Sequence, residues 1–185
     1  KKWAANVAHI PLKRPVEETP KVLLFGGLNV MFLHEPIREF FTERGIIAKV
    51  VDLTEGICWI ESENIVRYGF KRGITKPGGQ FNIASLLLSF FNPRNNRKEA
   101  SRALRARVHL AGIVYLMKRY RKIAKKSGLI YDEHVPFLRL LREGSKYVSH
   151  NGFTETPISV GRFLCSRSSG VFDGLINVAS FNCQP

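Results

Sequence analysis

The pattern that most restricts the fold lies between Lys21 and Leu53. Val22, Leu23, Leu24 and Phe25 form a short continuous apolar run that stops at Gly26-Gly27, the signature of a parallel strand covered on both faces. Leu33, Ile37, Phe40 and Phe41 then recur at helical spacing, with Glu35 and Pro36 suited to a first turn and Arg44-Gly45 to a last one. Ile46 to Leu53 reads as a second strand. A strand, a crossover helix and a second strand make a βαβ unit, whose two strands are parallel neighbours. The expected class is therefore α/β, a Rossmann-like (flavodoxin-like) parallel sheet.

Around this unit the chain divides into segments of different character. Residues 1–20 hold three prolines and little periodicity and read as a linker. Residues 21–80 hold the βαβ unit, after which Thr54 to Asn64 reads as a loop passing into a short helix. Residues 81–145 form a basic helical insertion or lid. There Phe81 to Phe91 suits one apolar helix, Arg97 to Ser127 one long helix, and His134 to Glu143 a third. Ala100, Leu104, Val108, Ala111 and Tyr115 trace the expected buried stripe of the long helix, and Gly128 stops it. Residues 146–185 return to the α/β domain, with a short strand over Lys146 to Ser149, a helix starting at Pro157 and a buried strand over Leu175 to Ala179. The chain then stops straight after a strand, without the next crossover helix, which reads as truncation.

Charge and cysteine usage narrow the function classes. The apolar content of 44% is too high for a disordered segment. No run reaches the ~18 to 20 apolar residues that span a bilayer, and the first residues lack a signal-peptide core, so the expectation is a cytoplasmic protein without a membrane partner. Fifteen Lys/Arg stand against four Asp/Glu between Arg94 and Lys146, which supplies eleven of the fourteen net positive charges. This block, residues 94–146, suits an acidic partner, a polyanion or a phosphorylated cofactor, or else a solvated helix face. The three cysteines, Cys58, Cys165 and Cys183, are odd in number and far apart, which fits reduced thiols.

Open parallel sheets bind ligands beyond the carboxyl ends of their strands. Three such ends are expected to converge: Gly26, Gly27 and Asn29 after the first strand, Asp52 and Glu55 after the second, and Phe181 to Cys183 after the last. The first two groups are the candidate cofactor-binding residues. A Gly-x-Gly-x-x-Gly dinucleotide turn and a P-loop are both absent from the sequence. Cys183 and Cys58 are both read in strand-end loops, where their thiolates are open to a candidate metal role because thiolates hold iron–sulfur clusters, but no cysteine here has the tight spacing of a ferredoxin or zinc motif. Cys165, beside Phe163 and Leu164, reads as a buried hydrophobe. His34 and His150 could face the site, and Glu55, Glu61, Glu63 and Glu155 could act as a general base; none stands out as catalytic.

Three passages, Lys21 to Gly45, Val50 to Gly56 and Gly170 to Pro185, resemble the domain shared by 2-hydroxyacyl-CoA (2-hydroxyglutaryl-CoA) dehydratase subunits and the CoA-enzyme activase-related proteins. The last passage, with Gly174, Phe181, Cys183 and Pro185, is similar to that domain's ending, whose cysteine ligates a cluster in the dehydratases. The resemblance implies an iron–sulfur cluster with Cys183 as ligand. It also implies an ATPase activator module, attached or separate, that binds ATP outside these residues, and an acyl-CoA dehydratase as partner in ATP-driven electron transfer. It further implies that this stretch is not active alone.

Overall fold

The computed structural model describes residues 2–26, 35–70, 73–75, 80–91, 96–149 and 156–178. At its centre strand β1, Lys21–Gly26, is buried from Lys21 to Phe25. It pairs in parallel with β2, Ile47–Val50, from Lys21 opposite Ile47 to Leu24 opposite Val50. On its other side it pairs in parallel with β3, Gly174–Val178, from Val22 opposite Gly174 to Gly26 opposite Val178. The sheet order β2-β1-β3 puts the continuous apolar run in the middle, where both faces are covered. β3 was expected to be buried; it is half-buried, because it is an edge strand of this sheet. Lys21 opens β1 with its charge satisfied: Nζ donates to the carbonyls of Thr19 at 2.8 Å and Glu17 at 3.3 Å. Its backbone N–H donates to Asp173 at 2.8 Å, which locks the start of β3 beside it.

The first crossover is helix α2, Glu35–Glu43, which packs along β2 and brings Ile37 and Phe41 to the core of Leu23, Leu24, Phe25 and Val51. Phe40, expected on the inner stripe, is half exposed, with the Arg44 guanidinium 3.7 Å over its ring. After β2 the chain turns directly into helix α3, Leu53–Asn64, which continues as a π-helical turn over Ile65–Phe70. The expected loop is thus helical. Its start was legible in Asp52 and Glu55, an acidic residue before the helix and a second three positions on, the spacing of a capping box.

The basic insertion consists of α4, Ile83–Phe91, and α5, Asn96–Ala124, the latter ending in a 3₁₀ turn, Lys125–Ser127, and at Gly128 with φ 73°. α3 and α4 both pack on α5. The face that α5 buries differs from the expected stripe: Ala100, Ala103, Ala106, Leu110 and Met117 are inside, while Val108 and Tyr115 are more than 60% exposed. Steps of four residues drift round a helix by roughly 40° each, so a stripe built mainly on fours leaves the buried face. Helix α1, Lys2–Ala8, within the segment read as a linker, packs against the 3₁₀ turn through the fully buried Ala4.

Helices α6, Phe137–Gly144, and α7, Thr156–Ser169, complete the fold, and α7 touches β1 and β3. Lys146–Ser149, expected as a strand, is a turn in which the N–H groups of Tyr147 and Val148 return to the Gly144 carbonyl at 3.0 and 3.1 Å. α6 and α7 approach through two glycines. A Cβ at Gly144 would sit 1.7 Å from the Pro157 carbonyl oxygen, and one at Gly161 would sit 1.9 Å from that of Leu140. Gly112, in the middle of α5, has no such neighbour. Among the described residues no helix is long and apolar enough to cross a membrane.

These two environments predict opposite outcomes for the same substitution. Gly161→Ala must push α6 from α7 and lower stability by about 2 kcal/mol or more, whereas Gly112→Ala raises it by about 0.5–1 kcal/mol through helix propensity. Urea denaturation of both variants measures the difference; equal effects would refute the close helix packing.

Candidate functional site: a charge-paired cleft on one face of the sheet

A cleft of ≈ 450 Å³ opens on one face of the sheet. Leu23, Lys49 and Val51 form its floor, as alternation along neighbouring parallel strands requires. One wall is the stretch from Tyr131 to Val135, and the other is α7 with Arg162, Cys165 and Ser166. The first wall exists because Gly128 ends the α5 segment in a left-handed conformation and Pro136, at ψ 133°, holds the chain extended until α6 begins. Four consecutive titratable residues, Tyr131, Asp132, Glu133 and His134, are thereby carried to the cleft.

Its charges are arranged in pairs. Asp132 accepts hydrogen bonds from Lys49 and, at 3.1 Å, from Arg121 Nη2, which also donates to the Asp132 carbonyl at 2.6 Å. Asp52 completes the group, 3.3 Å from Arg121 Nη1 and 3.7 Å from Lys49 Nζ. Burial alone would raise the pKa of Asp132, but the charges and hydrogen bonds of Lys49 and Arg121 outweigh it and hold the carboxyl below its ordinary value. Tyr131 is pushed up to about 12 by burial and by Asp132 and Asp52, so its phenol keeps its proton. Deeper on α7, Arg162 is buried and donates from Nε to Glu55 Oε2 at 3.2 Å, with Nη2 on the other carboxylate oxygen. Burial pulls this guanidinium down to about 10, still charged at neutral pH.

Two buried polar atoms at the cleft have no partner among the described residues: Nε2 of His134 and Oγ of Ser166. Burial, Arg121 and Lys118 lower the pKa of His134 against the opposing pull of Asp52 and Asp132, so its imidazole is neutral at pH 7. Cys165 is buried with its thiol pushed up by burial, which leaves it protonated and a poor nucleophile. Paired ions with neutral, unpartnered donors and acceptors are equipped to bind and orient a polar ligand; no side chain here is activated for attack.

Of the sequence candidates, Asp52 and Glu55 do come together at this cleft, each held by a cation from a distant part of the chain. Gly26 lies at the end of β1 with φ 139°, where a Cβ would stand 2.1 Å from the Val178 carbonyl oxygen, so glycine is what lets β1 approach β3. Cys58 is not in a loop but inside α3, packed with Ile65, Ala106, Leu110 and Phe137, and burial and Glu61 push its thiol up to about 11. Glu61 itself meets His109 at 3.1 Å. Gly27, Asn29, His34, His150, Glu155 and Cys183 lie outside the described residues, as does the side chain of Glu63. Lys49, Arg121, Asp132, His134, Arg162 and Ser166 were missed. The available signals were a lysine inside an apolar strand and a run of four titratable residues between a helix-ending glycine and a proline.

No protein-family model, curated protein or solved structure matches the chain. Among the described residues no group of three or more His, Cys, Asp or Glu is placed to hold a metal ion.

Asp132 makes the fold acid-sensitive with a definite sign. Its folded pKa lies below 3.8, so its contribution is fully present above the unfolded value and is lost as pH falls through the folded one. Asp132→Asn is expected to flatten the loss of stability as pH falls below about 4 in urea titrations; a slope equal to that of the unmodified protein would refute the assignment.

Proposed function

We propose that the chain is a Rossmann-like, flavodoxin-like domain of the type found in 2-hydroxyacyl-CoA dehydratases and CoA-enzyme activase-related proteins, and that it serves ATP-driven, low-potential electron transfer. What supports this reading is the sheet. Gly26 stands opposite Val178 and Leu24 opposite Val50, so the strands leading to Gly27 and Asn29, to Asp52 and Glu55, and to Cys183 five residues after Val178 all leave by the same edge. The order β2-β1-β3 also agrees with the first three strands of the flavodoxin-like arrangement, in which ligands bind where the strand order reverses.

In this reading the protein works in the cytoplasm, where thiols stay reduced. ATP binds on an activator module outside these residues, and the electron acceptor is an acyl-CoA dehydratase. The described thiols do not fit a cluster site between them: Cys58 packs in an apolar interior on α3, and Cys165 lines the cleft on α7, each protonated through burial. A cluster on this domain would take Cys183 as its ligand from this chain, with its other ligands from outside the described residues. Anaerobic preparation followed by iron and sulfide assay tests it. The expected result is bound iron that is lost in Cys183→Ala and kept in Cys165→Ala; equal iron in both variants, or none in the unmodified protein, would sink the reading.

The outer face of α5 favours a second reading, a module that binds a polyanion or an acidic partner. Arg119 stands exposed there, four residues from Tyr115 and next to Tyr120, rings that are 64% and 68% exposed, a combination of a cation and stacking surfaces that nucleic acids use. Binding to a single-stranded RNA should then fall steeply with salt, by roughly 0.7 in log K per phosphate contact for each unit of log salt concentration. Absence of binding at low salt would remove this reading.

A further inference from the structure

The last turns of α5 and the Glu133–His134 stretch border a second pocket, an open depression of ≈ 370 Å³ lined by Lys118, Arg121, Lys122, Lys125, Glu133 and His134. Lys118, Lys122 and Lys125 follow one another at four and three residues and so share a helix face. Arg121 is committed to Asp52 and Asp132. The three lysines make no ion pair with any described carboxylate. Part of their charge answers the carboxyl end of the α5 dipole, worth about half a negative charge, and Glu133 cancels one more. A surplus of more than one positive charge remains, facing a concave site. His134 adds an independent observation: its Nε2 is buried and has no hydrogen-bond partner among the described residues, and a buried polar atom left unpaired costs free energy. His134 and Glu133 also line the sheet-face cleft, so the two cavities share a wall.

We propose that this pocket is a phosphate-binding site, in which Lys118, Lys122, Lys125 and His134 hold the terminal phosphate of a small phosphorylated ligand whose remainder enters the sheet-face cleft past His134. Ammonium groups on one face supply charge-assisted hydrogen bonds to the phosphate oxygens. The imidazole supplies the directional contact at the back. The cleft, in which Asp52, Asp132 and Glu55 are already paired with Lys49, Arg121 and Arg162, accepts a polar body. A pocket of this size suits a small ligand better than a nucleic acid strand, which would follow the outer face of the helix. The site does not depend on an iron–sulfur cluster, and a protein lacking iron would bind the same ligand.

Calorimetric titration of the full chain with inorganic pyrophosphate and with ADP tests the proposal. Both are expected to saturate at one site, and ADP, which carries a body on the same diphosphate, to bind more tightly. The exposed-residue variant Lys122→Ala/Lys125→Ala should weaken both by about tenfold or more. Lys98→Ala/Arg102→Ala, which removes two exposed cations of the same helix outside the pocket, should leave both unchanged. By NMR, pyrophosphate should raise the pKa of His134, since a bound dianion stabilises the imidazolium together with Asp52 and Asp132 against Arg121 and Lys118. Failure to saturate, equal weakening by the two double variants, an unmoved His134, or binding of an RNA oligonucleotide but not of pyrophosphate would each overturn the site. ADP no tighter than pyrophosphate would overturn the link to the cleft.

Discussion

Arg121 carries more of this architecture than any other side chain. Its guanidinium leaves the inner side of the long helix and meets Asp52 at the end of β2, Asp132 on the wall of the cleft, and the Asp132 backbone carbonyl. Lys49 answers from the sheet, so that two cations and two carboxylates close a ring joining sheet, helix and wall. Partly buried ions of this kind are worth little as isolated pairs, but the removal of one partner strands the rest in poor solvent, which makes the arrangement specific. The basic helices are accordingly fastened to the sheet at this point, and the position of the Tyr131–His134 stretch follows from that fastening.

This ring also sets what the cleft is able to do. Asp52 and Asp132 are neutralised by Lys49 and Arg121, and Glu55 by Arg162. What is left for a ligand is a neutral imidazole, a hydroxyl, Glu133, Arg139 and the lysines at the rim.

Much of the fold was legible because local rules are strong where the core is simple. The run from Val22 to Phe25 is apolar at every position, and it became the central strand. Gly128 ended the long helix segment through its positive φ, and Pro157 opened α7. Errors came where burial is shared between elements. α5 has apolar residues on several faces, and which of them face inward depends on α3 and α4, so the stripe chosen from spacing left Val108 and Tyr115 in solvent. The same holds for the site. Asp52 and Glu55 could be named from their place after a strand, whereas Arg121 and Arg162, 69 and 107 residues away along the chain, could not be attached to them without knowing how the helices return.

By itself the sequence determined the parallel βαβ unit, the helical nature and extent of the basic segment, and the absence of a dinucleotide turn or P-loop, since each depends on residues close together in the chain. Only the tertiary structure decided which helix face is buried, that Cys58 belongs to an apolar interior, and that four charges from β2, α5 and the 129–136 stretch close on one another. The reason is physical. Backbone preference and periodicity act over a few residues, while desolvation and ion pairing are settled by whichever groups the finished packing brings within a few ångströms.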